Sequence, residues 1–118
     1  MRGVGQLALR SSDPARVAEF YESAFGFRRI ASDESGVDLE SAGFELSFRR
    51  GQQATRDGIQ IGFRVETAAD VDAWAHELAR RGFGLVAPPS GDRYEGTRSF
   101  RLTDPDGRQV AVYYDYLR

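Results

Sequence analysis

The side chains that could carry out chemistry in this 118-residue chain are restricted in kind. There is no cysteine, which excludes disulfides, thiolate catalysis and thiolate metal sites. All 16 positions that hold lysine or arginine hold arginine, which excludes catalytic lysine chemistry. The single histidine, His76, lies in a segment of helical pattern, and we expect it to face solvent. The chemistry that remains belongs to carboxylates, amides, tyrosines and arginines, and arginine favours bidentate binding of anions.

Polar side chains of these kinds recur at every second position in segments that otherwise contain apolar residues. Period two is typical of a strand with one face on an apolar core and the other on solvent or a cavity. The predicted ligand-binding residues on the polar faces are Gln6, Arg10, Arg49, Gln60, Arg64, Arg101 and Tyr113. Glu45 also lies on such a face, as a candidate general base or as a member of a structural ion pair. Four arginines against this one carboxylate predict a cavity that prefers anionic or electron-rich ligands.

The elements that must position these residues form a repeated pattern. Each copy begins with an alternating strand, which starts near Gln6 in the first copy and near Gln60 in the second. A helix follows each strand, with an N-cap at Asp13 and at Thr67. The same number of residues separates Gln6 from Gln60 and Asp13 from Thr67, so the strand and the N-cap recur at equivalent positions in both copies.

Three more strands are predicted after each helix. They cover about 28–32, 36–41 and 44–49 in the first copy, and about 84–87, 97–102 and 109–114 in the second. Pro88–Gly96 is rich in glycine and proline, so we predict a loop there and a candidate mobile flap. The order βαβββ, present twice, predicts an α+β fold in which curved mixed sheets form a cup and the helices lie on the outer face.

Length and composition are those of one globular domain, with modules at about 4–50 and about 58–115. The chain is 41% hydrophobic and 29% charged, which excludes a disordered protein. No apolar run approaches the ~20 residues of a membrane span, and no secretory signal is recognisable. The net charge is −2 and there is no basic run. We therefore expect a cytoplasmic protein without nucleic-acid or membrane partners.

The repeat and two local segments resemble the vicinal oxygen chelate superfamily, which includes glyoxalase I, the bleomycin-resistance proteins and the extradiol dioxygenases. The segments are Asp13-Pro14…Phe20-Tyr21…Gly26-Phe27 and Phe100…Asp104-Pro105-Asp106-Gly107. The resemblance covers nearly the whole chain. It implies the fold more than any particular chemistry, because this fold hosts many functions.

Metal-containing members of that superfamily take His, Glu and Gln ligands from the first and last strands of each copy. The resemblance places these positions on Gln6, Glu45, Gln60 and Ala111. A catalytic divalent metal usually needs three good ligands, commonly two imidazoles and a carboxylate. Two amides, one carboxylate and a methyl group do not make that set. We therefore predict no cofactor, with a divalent metal as the disfavoured alternative.

Several functions remain open. Missing metal ligands in an intact fold favour a metal-free small-molecule-binding protein like those of the bleomycin-resistance branch. By that analogy we expect a homodimer, with an anionic or aromatic ligand in the cup between the modules. One alternative is a metal-dependent lyase, isomerase or extradiol-type dioxygenase that uses Gln6, Glu45 and Gln60. Another is a metal-free acid–base enzyme with Glu45 as the base and Arg64 at an oxyanion. A third is an accessory half of a larger assembly, without ligand chemistry of its own.

Overall fold

The computed structural model of the chain describes Met1, residues 3–52 and residues 58–117. Two helices and eight strands occur in this part, in the predicted order. The chain divides into two compact units, Met1–Asp57 and Gly58–Arg118. Each unit contains one helix and one four-stranded sheet with parallel and antiparallel pairs, so the predicted α+β class with two βαβββ modules is confirmed. Neither of the described helices is long and apolar enough to cross a membrane.

The first unit follows the predicted boundaries closely. Its elements are β1 (Gln6–Ser11), α1 (Pro14–Phe25), β2 (Arg28–Asp33), β3 (Gly36–Ser41) and β4 (Phe44–Arg50). The strands lie in the order β1-β4-β3-β2, with β1 parallel to β4 and the other pairs antiparallel. The carboxylate of Asp13 accepts a hydrogen bond from the backbone N–H of Arg16 at 3.2 Å, so the predicted N-cap is confirmed. Gly26 ends the helix with φ at 74°, a left-handed conformation that favours glycine.

The second unit repeats this order. Its elements are β5 (Gln60–Arg64), α2 (Ala68–Arg80), β6 (Leu85–Ser90), β7 (Thr97–Thr103) and β8 (Gln109–Asp115). The strand order is β5-β8-β7-β6, which is the order of the first sheet one copy later. Thr67 and Asp70 exchange side-chain and backbone hydrogen bonds at 3.1 Å, which confirms the predicted capping box.

In each unit the helix packs on one face of the sheet and forms the core there. The ring of Tyr21 in α1 stacks on that of Phe48 in β4, with centroids 5.4 Å apart. In the second unit the buried residues of α2 and of the alternating strand positions that face it are Val71, Ala75, Leu78, Phe100, Leu102, Val110 and Val112. Phe20 in α1 and Trp74 in α2 are half-buried. Aromatic side chains of this size are seldom covered completely, above all tryptophan.

The predicted loop Pro88–Gly96 is shorter than expected. Strand β6 continues to Ser90, so the first third of that prediction is wrong. The two prolines are tolerated because β6 lies at the edge of its sheet, where one side of the strand has no ladder to maintain. In the remaining residues the carboxylate of Asp92 accepts hydrogen bonds from the N–H groups of Tyr94 and Glu95, at 2.9 and 3.0 Å. A compact turn thus takes the place of the long loop.

The hairpin turn between β7 and β8 contains a buried cluster of charges. The guanidinium of Arg108 lies 3.0 Å from the carboxylate of Asp106 and 3.6 Å from that of Asp104. The side chain of Arg108 is only 1% exposed. The carboxylate of Asp104 also accepts hydrogen bonds from the backbone N–H groups of Asp106 and Arg108. The predicted tight turn is therefore present, and the ion cluster ties its two ends together.

Arg98 forms a second ion pair that ties β7 to α2. It donates to both carboxylate oxygens of Asp72, at 2.7 and 3.0 Å, and to the carbonyl of Gly91 at 3.0 Å. The side-chain hydrogen bond from Arg98 is the main cause that lowers the pKa of Asp72 below its ordinary value. The side chain of Asp72 is 51% exposed, so solvent screens much of the interaction.

The cluster at the hairpin makes stability sensitive to Arg108. Arg108→Met keeps much of the volume but leaves two buried carboxylates without this cation. Breaking a buried ion pair from one side typically costs about 3–5 kcal/mol, and we expect a loss of that size in the free energy of unfolding measured in urea. Arg93→Met, at an exposed arginine of the turn after β6, is the control and should change it by less than about 0.5 kcal/mol. A loss below about 1 kcal/mol for Arg108→Met would contradict this role.

Two arginines on β7 provide a matched comparison. Arg98→Gln should lower the free energy of unfolding by about 1 kcal/mol or less. Arg101→Gln should change it by less than about 0.5 kcal/mol, because Arg101 has no side-chain partner among the described residues. Since the pKa of Asp72 is lowered in the folded state, the contribution of its pair is present above the ordinary carboxyl range. That contribution is lost as the pH falls through the lowered pKa, so wild type and Arg98→Gln should converge in acid. A difference that stays constant between about pH 7 and about pH 2 would argue against the pair.

Candidate functional site

The polar face of the second sheet, opposite α2, carries a pocket of about 380 Å³. All four strands contribute to its lining, which consists of Gln60, Ala87, Ser90, Thr97, Ser99, Phe100, Arg101, Ala111 and Tyr113. Three of the predicted ligand-binding residues, Gln60, Arg101 and Tyr113, therefore line one pocket.

The pocket exists because three of the four residues in one row across the sheet are alanine or glycine. The strand registers place Ala87 opposite Arg101, Arg101 opposite Ala111, and Ala111 opposite Gly62. Opposite residues project from the same face of a sheet. Ala87, Arg101 and Ala111 of this row form the floor of the pocket.

Larger polar side chains flank the floor in the neighbouring rows. On one side the registers align Ser90, Ser99, Tyr113 and Arg64. On the other side Gln60 lies opposite Gln109. Hydroxyl and amide groups can both donate and accept hydrogen bonds, so these rows can orient a ligand that rests on the floor.

The ring of Tyr113 occupies the space above Gly62. A Cβ atom built on Gly62 would lie 3.1 Å from the nearest ring carbon, so the absent side chain makes room for the ring. The guanidinium of Arg64 lies 5.7 Å from the centre of the same ring, within the range of a cation–π interaction. Arg64, predicted as a direct ligand contact, is thus engaged with Tyr113 and is not among the described lining residues of this pocket.

Arg101 supplies the only formal charge in the described lining of this pocket. Its side chain is exposed and makes no ion pair or side-chain hydrogen bond with the described residues. No aspartate or glutamate is among the described lining residues. The pocket therefore carries one positive charge and several neutral hydrogen-bonding groups.

The first unit contains a different cluster, formed by Gln6, Glu45 and Ser47. The side-chain amide of Gln6 donates to the carboxylate of Glu45 and to the hydroxyl of Ser47, the latter at 3.3 Å. The Ser47 hydroxyl donates to the same carboxylate oxygen at 3.4 Å. Ser47 is fully buried and Glu45 is half-buried. Within the described residues Glu45 makes no ion pair with arginine; its partners are neutral donors.

The polar face of the first sheet holds more acidic residues than we counted from the sequence. Arg49 donates to Asp38 at 2.7 Å, and Arg28 pairs with Glu40 at 3.1 Å. The register places Glu40 opposite Glu45, so these carboxylates share one face. The expectation of four arginines against one carboxylate is therefore wrong for this sheet. The positive charge of Arg49, a predicted ligand contact, is balanced by Asp38.

Two other residues considered from the sequence are Arg10, in the first unit, and His76, in the second. Arg10 is at the end of β1 beside Gly51, where a glycine Cβ would lie 2.7 Å from a guanidinium nitrogen. His76 is exposed on α2, as we expected. Neither residue contributes to the described lining of the pocket in the second unit.

The positions that the resemblance assigned to metal ligands do not fit a catalytic transition metal. The side chains of Gln6 and Glu45 are hydrogen-bonded to each other, and Ala111 offers only a methyl group. The residue opposite Gln60 is Gln109, a further neutral amide. Catalytic transition-metal sites are built mainly from imidazole, thiolate and carboxylate. Within the described ranges, no group of three or more His, Cys, Asp or Glu side chains could hold a metal ion.

Comparison with known proteins agrees with the observed fold. Among solved structures, a possible glyoxalase from Bacillus cereus is 23% identical, with a TM-score of 0.78 over 95% of this chain and 98% of that one. Lactoylglutathione lyase from Agrobacterium tumefaciens is 18% identical, with a TM-score of 0.81 over 99% and 96% of the two chains. TioX from Micromonospora sp. ML1 is 21% identical, with a TM-score of 0.72 over 96% and 98%. At these identities the likeness concerns the fold alone.

Sequence comparison supplies the family. No curated protein matches the chain. The family model described as Glyoxalase/Bleomycin resistance protein/Dioxygenase superfamily matches residues 3–112, which is nearly the whole chain. The chain therefore belongs to the glyoxalase/bleomycin resistance protein/dioxygenase superfamily.

Proposed function

We propose that the chain is a small-molecule-binding protein that works without a bound metal and holds its ligand against the polar face of the second sheet. The observation that carries this proposal is the pocket of about 380 Å³ on that face. Small-molecule sites typically have volumes in this range and combine an apolar surface with a few well-placed polar groups. The methyl groups of Ala87 and Ala111 supply the apolar surface, and the flanking hydroxyl and amide groups supply the polar groups.

Metal independence is supported by the chemistry of the available donors. Of the four positions that would hold a metal in the related metalloenzymes, Glu45 alone carries a carboxylate, and it already accepts hydrogen bonds from Gln6 and Ser47. A cation at Glu45 would meet a carboxylate with one oxygen already engaged in these two bonds, and would have to find its remaining ligands among neutral amides. This donor set does not favour the metal-dependent lyase, isomerase or dioxygenase.

A metal-free acid–base enzyme with Glu45 as the base is the second candidate. Glu45 is half-buried, and two neutral donors bond to one of its carboxylate oxygens, which would orient the carboxylate for proton transfer. Binding ranks ahead of catalysis because the described lining of the pocket in the second unit contains neither carboxylate nor imidazole. Glu45 belongs to the other unit.

Metal independence has a direct test. Protein incubated with Ni²⁺, Zn²⁺, Fe²⁺ or Mn²⁺ and then desalted should retain far less than about one equivalent of metal by elemental analysis. Its melting temperature should not rise, because a ligand stabilises a protein only when it binds the folded state. Glu45→Ala is the control and should behave like the wild type in both measurements. About one equivalent of metal that raises the melting temperature, and that is lost in Glu45→Ala, would overturn the metal-free proposal.

The location of the ligand can be tested by filling the pocket. Ala87 contributes a methyl group to the floor, and Ala87→Phe should occupy much of the free space. The probes are those members of a mixed-charge fragment library that shift the amide signals of β7 and β8 in NMR spectra of the wild-type protein. For these fragments we expect Ala87→Phe to raise Kd by at least about tenfold. Val86→Phe is a matched control, because Val86 is the neighbouring residue, is 61% exposed and lies outside the described lining. Equal binding by both variants would place the ligand elsewhere and contradict the proposal.

A further inference from the structure

We infer that the ligand of this pocket carries a single carboxylate, and that Arg101 selects it. The inference rests on the proposed binding function and adds to it the charge and chemical class of the ligand. It also assigns a specificity-determining residue within the pocket.

Arg101 differs from most other arginines on the strands and their turns. Five of these are each paired with a carboxylate at 3.1 Å or less: Arg28, Arg29, Arg49, Arg98 and Arg108. Arg101 has no such partner within the described part of the chain. The unit therefore leaves one guanidinium available at the pocket, where an incoming anion need not displace an internal carboxylate.

The neighbours of Arg101 leave space around its guanidinium. The residues opposite it on the two adjacent strands are Ala87 and Ala111, whose side chains are single methyl groups. The planar guanidinium can therefore meet a carboxylate edge to edge with two parallel hydrogen bonds. Ser99, two residues earlier on the same strand and in the pocket lining, adds a hydroxyl donor nearby.

The charge of the pocket indicates one negative charge on the ligand. Arg101 is the single cation in the described lining, and the guanidinium of Arg64 is directed at the ring of Tyr113. A phosphate dianion is better matched by two or more cations. One arginine fork with neutral hydroxyl groups matches a carboxylate.

The remaining lining indicates a flat body attached to the carboxylate. In the order β5-β8-β7, Arg101 lies on one side of Ala111, and Gly62 with the Tyr113 ring above it lies on the other. Arg101 and Gly62 lie on strands that are two strand spacings apart, which corresponds to roughly 10 Å. An aromatic acid of the length of benzoate fits this interval, with its carboxylate towards Arg101 and its ring towards Tyr113 over the methyl group of Ala111.

Benzoate and benzamide test this inference, because they share a shape and differ in charge. In NMR titrations of the wild-type protein, benzoate should shift the amide signals of 99–101 and 111–113. Its Kd should be at least about tenfold lower than that of benzamide, since hydrogen bonds between ionised groups are about twice as strong as neutral ones. Inorganic phosphate should bind more weakly than benzoate.

Variants of the pocket separate charge from shape. Arg101→Gln should weaken benzoate by at least about tenfold and leave benzamide unchanged, whereas Arg101→Lys should retain part of the benzoate affinity. Ala87→Glu places a carboxylate opposite Arg101 and should also weaken benzoate, because the new side chain competes for the guanidinium. Val86→Glu adds the same charge next to Ala87 in sequence but outside the lining, and should bind benzoate like the wild type.

The outcomes distinguish this inference from the proposed function. Equal affinities for benzoate and benzamide, or an unchanged affinity for benzoate in Arg101→Gln, would overturn the role of Arg101. Tighter binding of phosphate than of benzoate would overturn the assignment to a carboxylate. If neutral or cationic fragments occupy the pocket and benzoate does not, only the further inference fails. If no fragment of any charge perturbs β7 and β8, the proposed function fails as well.

Discussion

Burial of one face of each sheet against its helix is the interaction on which the rest of the structure depends. Phe100 and Leu102 of β7 are almost completely buried on the side of α2. Because successive strand residues project to opposite faces, the same burial directs Ser99 and Arg101 to the polar face. A slip of one residue would expose the apolar set and bury a guanidinium without a partner. The free energy of the core thus fixes which side chains can meet a ligand.

This constraint explains how much of the fold could be predicted. Alternation and helix caps are local features, so the order of the elements and the caps at Asp13 and Thr67 are visible in the sequence. Strand β6 was the exception, because its register shifts on both sides of Ala87. Irregular pairing breaks the period of two, and two prolines suggest a loop. The contributions of Ala87 and Ser90 to the pocket therefore could not be assigned before the pairing was known.

The candidate site could be predicted in part for the same reason. The alternation of apolar and polar residues along each strand is enough to place Gln60, Arg101 and Tyr113 on the polar face of the second sheet. The partner of each charged residue depends on contacts between distant segments, which no local pattern encodes. The ion pair between Arg49 and Asp38 is an example, because Asp38 balances the positive charge of an arginine that we predicted to contact a ligand. Burial of Arg108 is a further case, since arginine is mostly exposed unless it is paired.

The division between a helix-covered face and a polar face also bears on how one fold can serve several functions. Stability comes mainly from the covered side, so residues of the polar face can change at little cost in folding free energy. The resemblance assigns a metal-ligand position to Ala111, and the residue opposite it is Arg101. A methyl group beside a guanidinium makes this part of the face attract anions, whereas a carboxylate there would attract cations. In the proposed function, the sign of the ligand's charge is thus set by two adjacent side chains on the polar face.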